Sequence, residues 1–174
     1  MAEERLRLCA RDADDLAVIA SCVQDALVPV VDMAFLSEER RFVLALNRFC
    51  WDQLGVRKLA EKQADPSSHA RSGDAPFWEE GDKGPIFERV LSGLRFESVT
   101  AVRTKGIDLR NRDRILELLT IHVEPGVVLL VFSGSAIIRL EVDELRCYLE
   151  DFGDAWPTRW RPRHSDDSAD GERR

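Results

Sequence analysis

The stretch Arg114–Glu141, with the sequence RILELLTIHVEPGVVLLVFSGSAIIRLE, decides the fold. Over Arg114–Glu124, apolar residues recur at alternate positions, which is typical of a β-strand. Pro125-Gly126 then signals a tight turn, because proline presets φ at the first central position and glycine adopts the positive φ that follows. Further strand-like runs lie at Val127–Phe132 and Ala136–Glu141. The stretch therefore predicts three consecutive antiparallel strands.

The residues before this stretch predict further strands. Leu6–Cys9 alternates in hydrophobicity and predicts a short first strand. Val30–Leu36 and Arg41–Phe49 are apolar runs separated by a polar turn, so they predict a β-hairpin. Leu94–Thr104 predicts one long strand in which the apolar residues change from even to odd positions. This change of parity indicates a β-bulge near Ser98.

Two segments have helical periodicity. Asp12 is a suitable N-cap, and apolar residues follow it at helical spacing as far as Leu27. Because Pro29 cannot continue a helix, we expect the first helix to end near Leu27. Val142–Phe152 has an apolar stripe and is followed by Gly153, a residue type that commonly ends helices. The sequence therefore predicts a second, C-terminal helix.

Together these elements predict a single α+β domain over residues 1–160. We expect a mostly antiparallel meander sheet of about six strands, with an N-terminal helix and a C-terminal capping helix. Such a sheet either curls into a partly open barrel, like that of pleckstrin-homology domains, or stays flat with both helices on one face. Residues 54–85 are rich in proline, glycine, serine and charge and predict a long mobile loop. Residues 161–174 predict a disordered tail.

The composition predicts a cytoplasmic globular protein. Of the 174 residues, 44% are hydrophobic and 33% are charged, and the net charge of −7 disfavours nucleic-acid binding. The apolar runs are far shorter than the roughly 18 residues of a membrane helix, and the N-terminus has no apolar core of an export signal. The four cysteines form no Cys-x-x-Cys pair, so we expect buried, reduced thiols. No pattern predicts a metal or another cofactor, and none decides the oligomeric state.

Four segments, taken together, resemble a known family. They are Asp12–Leu16, Ala45–Asp52, Gly93–Asp108 and Ile138–His164, the last of which contains Ala-Trp-Pro-Thr at residues 155–158. The family is a bacterial, alphaproteobacterial-type group of uncharacterised proteins, domain of unknown function 2948. The resemblance covers nearly the whole chain except residues 54–85 and the last ten residues. It implies a small bacterial cytoplasmic protein, and since the family has no established activity, it assigns no functional residue.

The segment that contains Asn47, Arg48 and Trp51 is the first candidate for a site. Asn47 and Arg48 interrupt a strand that is otherwise apolar on both faces. Buried amides and guanidinium groups are costly unless paired, so such residues usually have specific partners. One interpretation is a binding patch formed by Asn47, Arg48 and Trp51, with His122 as a further member. The other is an internal polar tie in which Arg48 pairs with an acid.

Two functions are compatible with these patterns. The first is a non-catalytic binding or regulatory module that docks a protein partner. The alternative is a small-metabolite enzyme in which His122, on the same predicted strand face as Thr120 and Glu124, is the general base. No nucleophile is tied to His122 by spacing, so the sequence favours the binding module.

Overall fold

A computed structural model describes residues 5–50 and 87–158. The loop predicted at residues 54–85 and the tail predicted at residues 161–174 lie outside these ranges. Within them, the chain forms one sheet of 11 strands and one α-helix. The elements are β1 (Arg7–Ala10), α1 (Ala13–Val23), β2 (Ala26–Pro29), β3 (Met33–Leu36), β4 (Arg41–Phe49), β5 (Phe87–Phe96), β6 (Val99–Lys105), β7 (Ile115–Glu124), β8 (Val127–Phe132), β9 (Ala136–Val142), β10 (Cys147–Asp151) and β11 (Trp156–Thr158), with 3₁₀ turns at Val30–Asp32 and Ser133–Ser135.

The sheet is antiparallel. Its strand order is β1-β10-β5-β4-β2-β7-β8-β9-β6, with β3 paired to β4 and β11 paired to β5. The chain passes twice between opposite ends of this order, from β5, the third strand, to β6, the last, and from β9, next to last, to β10, the second. Residues from both halves of the sheet consequently pack into one core. The side of the sheet that faces away from this core is called the outer face below.

The helix α1 closes part of this core. It begins where the Asp12 carboxylate accepts a hydrogen bond from the Asp15 backbone N–H, at 2.8 Å. The helix contacts β1, β4 and β7, and it buries Leu16, Ile19 and Val23. No helix in the two described ranges is long and apolar enough to cross a membrane.

The prediction of a six-stranded sheet with two helices is wrong. Residues 142–152 contain no helix, because Cys147–Asp151 is β10 and pairs with β5 along its length. Cys147, Leu149 and Asp151 are buried at alternate positions, as in a strand with one face on the core. The alternation was not recognisable in the sequence, because the third buried residue, Asp151, has a charged side chain rather than an apolar one. The described part is thus mostly antiparallel sheet.

The first helix is shorter than its apolar spacing predicts. It ends at Val23, and the chain turns at Asp25, whose φ is 60°. Ala26–Pro29 then forms β2, which pairs with β7. Two or three apolar residues fit either a helical or a strand period, so the spacing as far as Leu27 did not decide between them.

The predicted strand around Ser98 is in fact two strands. Ser98 has a φ of 58°, in the left-handed region, and separates β5 from β6. β5 pairs with β4 and β10, whereas β6 pairs with β9. A β-bulge is present close to the predicted position, between Val99 and Ala101. The Pro125-Gly126 turn is as predicted, with a φ of 73° at Gly126.

Candidate functional site

Asn47 and Arg48 point to opposite sides of β4. Arg48 lies on the core side and is 2% exposed. Asn47 is half-buried on the outer face, beside its cross-strand neighbours Leu27 and Leu91. Because successive side chains of a strand alternate between faces, these two residues do not share a surface.

Arg48 forms an internal ion pair with Asp151. Its Nε and Nη2 atoms donate hydrogen bonds to Asp151 Oδ1 and Oδ2 at 2.9 and 2.7 Å. The Ser92 hydroxyl donates to Asp151 Oδ1 at 2.6 Å, and all three residues are buried. Burial alone would raise the pKa of Asp151, but the hydrogen bonds from Arg48 and Ser92 and the Arg48 charge outweigh it and lower that pKa. Arg48 therefore has the role of an internal tie between β4 and β10.

The other two predicted site residues lie elsewhere. Trp51 lies outside the described residues. His122 is exposed on β7, and its cross-strand neighbour on β8 is Leu129. A register shift between Leu118 and Thr120 turns His122 away from the core. Within residues 5–50 and 87–158, His122 takes part in no hydrogen bond or ion pair that would orient it as a base.

Sequence reasoning missed a second buried arginine, Arg89 at the start of β5. Its Nη1 atom donates a hydrogen bond to the Asn47 carbonyl oxygen at 3.0 Å, and its guanidinium lies 5.7 Å from the centre of the Phe49 ring. Burial lowers the pKa of Arg89, an effect that the nearby charges of Asp25 and Glu117 oppose. No local sequence pattern distinguishes Arg89 from an exposed arginine, because its partners come from β4, β7 and the turn at Asp25.

The outer face of β1, β10, β5 and β4 carries a groove with a volume of about 600 Å³. Its floor consists of small and apolar side chains at Val43, Ala45 and Gly93. The cross-strand register places two rows of residues here: Val43, Arg95, Tyr148 and Cys9 in one, and Ala45, Gly93, Glu150 and Arg7 in the next. Asp32 and Phe152 complete the lining. This concavity is called the outer-face groove below.

Gly93 allows the Phe152 ring to approach β5 closely at one side of the groove. A Cβ atom at Gly93 would lie 2.8 Å from Cε2 of Phe152 and would overlap its Cζ atom. The Phe152 backbone N–H donates a hydrogen bond to the Leu91 carbonyl oxygen at 2.8 Å, which fixes the start of this segment on β5. Phe152 nevertheless remains 53% exposed, so its ring forms a wall of the groove.

The opposite wall is polar. The Arg95 guanidinium lies over the Tyr148 ring, 4.6 Å from its centre, and Arg95 Nε lies 2.9 Å from Glu97 Oε1. Arg7 and Glu150 form an exposed ion pair.

The four cysteines all lie in the described ranges, and no disulfide joins them. Cys50 and Cys147 are buried as predicted, and burial raises the pKa of the Cys147 thiol. The expectation of burial is wrong for Cys9, whose exposed thiol lines the groove. No cluster of metal-ligating side chains is present in the part of the chain that the structure describes.

The fold and the groove define an antiparallel sheet protein with an open concavity on its outer face. A family model described as "Protein of unknown function (DUF2948)" matches residues 6–164. The chain therefore belongs to this family, as the resemblance of its four segments indicated. No curated protein and no solved structure matches the chain significantly.

Proposed function

We propose that this protein is a non-catalytic binding module that docks a protein partner in the outer-face groove. The observation that carries the proposal is the groove itself, about 600 Å³ in volume with an apolar floor. Binding sites are typically concave, mostly apolar and lined by a few well-placed polar groups, in volumes of about 300–1,000 Å³. The groove has each of these properties.

Exposed apolar side chains beside the groove support a protein as the partner. Phe152 is 53% exposed and Leu91 is 40% exposed, and the two are joined through a backbone hydrogen bond. Apolar groups that remain in contact with water next to a concavity are typical of protein interaction sites. An apolar segment of a partner would cover both residues and fill the groove at the same time.

The buried ion pair gives the groove a fixed shape. Asp151 immediately precedes Phe152, and its bond to Arg48 anchors the end of β10 to β4. The Asp151 backbone N–H also donates to the Leu6 carbonyl oxygen at 3.0 Å, which anchors the chain just before β1. A site that is ordered before binding loses less conformational entropy on binding, so this tie favours affinity.

The enzyme alternative has less support. Its general base would be His122, which is exposed and has Leu129 as its cross-strand neighbour. The next residues in the same row are Arg139 on β9 and Arg103 on β6, two cations that offer no carboxylate to orient an imidazole. We therefore favour the binding module. We further propose a cytoplasmic location, which four cysteines without a disulfide among them support.

Site-specific photo-crosslinking tests this function. The photoreactive residue p-benzoylphenylalanine replaces Cys9 in the groove or, as a matched control, the exposed Arg103 on β6. Irradiation in the native host should join one protein to position 9 and not to position 103. The additional substitution Val43→Trp, which fills the groove floor from an outer-face position, should abolish this adduct.

Two results would contradict the proposal. One is the same set of adducts from positions 9 and 103, which would indicate random collisions. The other is an adduct at position 9 that persists in a Val43→Trp variant whose circular dichroism and melting temperature show that it is folded.

A further inference from the structure

We infer that the outer-face groove recognises the carboxyl terminus of its partner, as a chain-terminal carboxylate next to an apolar last side chain. The inference rests on the proposed docking of a protein partner in the same groove. Its basis is the arrangement of three features of the groove: an apolar floor, the guanidinium of Arg95 at one wall, and the carboxylate of Asp32 at the opposite side.

The floor of the groove fits the apolar side chain. Val43, Ala45 and Gly93 present no polar side-chain atom, and the Phe152 ring lies over Gly93. An apolar side chain placed between this ring and Val43 would leave water without exposing any buried polar group, which is the favourable condition for hydrophobic binding.

Arg95 fits the carboxylate. Its Nε atom lies 2.9 Å from Glu97, and its guanidinium lies over the Tyr148 ring, which holds it at the wall of the groove. Among the described residues, neither terminal nitrogen of Arg95 donates a hydrogen bond to the protein, and the side chain is 45% exposed. A guanidinium presents parallel N–H groups that match a carboxylate in two hydrogen bonds. Arg95 is therefore the recognition residue for an anionic group that enters the groove.

Among the described residues, the acids near Arg95 accept no hydrogen bond from its terminal nitrogens. Glu97 accepts hydrogen bonds from Arg41 Nε at 3.0 and 3.1 Å in addition to its contact with Arg95. Glu150 is paired with Arg7. Each acid on this side of the groove thus has a cationic partner of its own.

Asp32 favours a peptide over a simple carboxylic acid. It is exposed at the opposite side of the groove, and within the described ranges it forms no ion pair or side-chain hydrogen bond. Asp32 directly precedes β3, which pairs with the edge of β4 opposite β5. It therefore lies two strand spacings, about 10 Å, from β5. A chain terminus that contacts Arg95 would extend its preceding backbone N–H groups towards Asp32. A monocarboxylic acid has no group for that position.

Titration of the ¹⁵N-labelled full chain by NMR tests this inference with three probes. They are a flexible glycine-serine peptide that ends in phenylalanine with a free carboxylate, the same peptide with a C-terminal amide, and 3-phenylpropionate. We expect shifts at groove residues and an affinity about tenfold higher for the free carboxylate than for the amide. The Arg95→Gln variant should lose this preference, whereas the control variant Arg103→Gln should retain it. The Asp32→Asn variant should weaken peptide binding and leave 3-phenylpropionate binding unchanged.

The possible results separate this inference from the proposed function. Equal groove binding of the acid and amide peptides would overturn carboxylate recognition and leave protein docking intact. Binding of 3-phenylpropionate as tight as that of the peptide would overturn recognition of a chain terminus. The absence of groove shifts with every probe would also overturn the inference, whereas crosslinking at position 9 tests docking independently.

Discussion

Replacing Arg48 by methionine should destabilise the protein strongly and in a pH-dependent way. The substitution removes the two hydrogen bonds, of 2.9 and 2.7 Å, that Arg48 donates to Asp151. Asp151 is only 7% exposed, and among the described residues the one side chain that still donates to its carboxylate is Ser92, at 2.6 Å. Removing one partner of a buried ion pair costs about 3–5 kcal/mol at neutral pH. For a chain of this length, that loss lowers the melting temperature by roughly 10 °C.

The sign of the pH dependence follows from the pKa of Asp151. In the native protein this pKa is lowered, so the stabilisation by the pair is complete above the usual carboxyl pKa of about 4 and is lost as the pH falls below it. In Arg48→Met, burial without the guanidinium raises the pKa of Asp151 above its unfolded value. The variant then loses stability as the pH rises. The difference in free energy of unfolding between the two proteins should therefore widen from about pH 4.5 to about pH 7.

Urea unfolding at these two pH values measures the effect. The variant Arg48→Met/Asp151→Leu should recover part of the loss at neutral pH, because it removes both charges together. Arg7→Met, which breaks the exposed pair with Glu150, should change the stability little. Two results would refute this account of the ion pair. One is an Arg48→Met variant that is at least as stable as Arg48→Met/Asp151→Leu at neutral pH. The other is a difference in free energy of unfolding between the native protein and Arg48→Met that does not change with pH.

Three further substitutions or modifications have predictable outcomes. Gly93→Ala should change the free energy of unfolding by less than about 1 kcal/mol in thermal unfolding, because its Cβ meets only the far end of the exposed Phe152 ring, which can move away, and alanine favours the strand over glycine. Iodoacetamide should modify the exposed Cys9 well before the buried Cys147, as peptide mass spectrometry can measure. Ser98→Gly should raise the melting temperature, because the φ of 58° at this position is more favourable for glycine.

The strands with strong local signals were predictable from the sequence. The run Arg41–Phe49 matches β4 in its bounds, and the Pro125-Gly126 turn separates β7 from β8. Both predictions depend on residues that are adjacent in the chain. In contrast, β10 was predicted as a helix because Asp151 interrupts its apolar alternation, and only pairing with β5 shows that this carboxylate is buried.

The candidate site was less predictable than the fold. The sequence favoured Arg48 as an unusual residue, but its partner Asp151 lies 103 positions away and no spacing rule connects them. The groove depends on Ala45 and Gly93, which are ordinary residues until the register of β4 and β5 places them side by side. Local periodicity contains no information on such contacts, so the outer-face groove emerged only from the pairing of four strands.

The pairing of β1 with β10 has a consequence for the synthesis of the protein. Arg7 lies opposite Glu150, 143 residues later in the chain. At translation rates of about 5–20 residues per second, the nascent β1 waits roughly 7–30 seconds before the ribosome has made the strand that it pairs with. During this interval the wall of the groove that contains Cys9 does not exist, and α1 lacks part of its final packing surface. Of the described strands, β1 is therefore the one that stays longest without its partner strand.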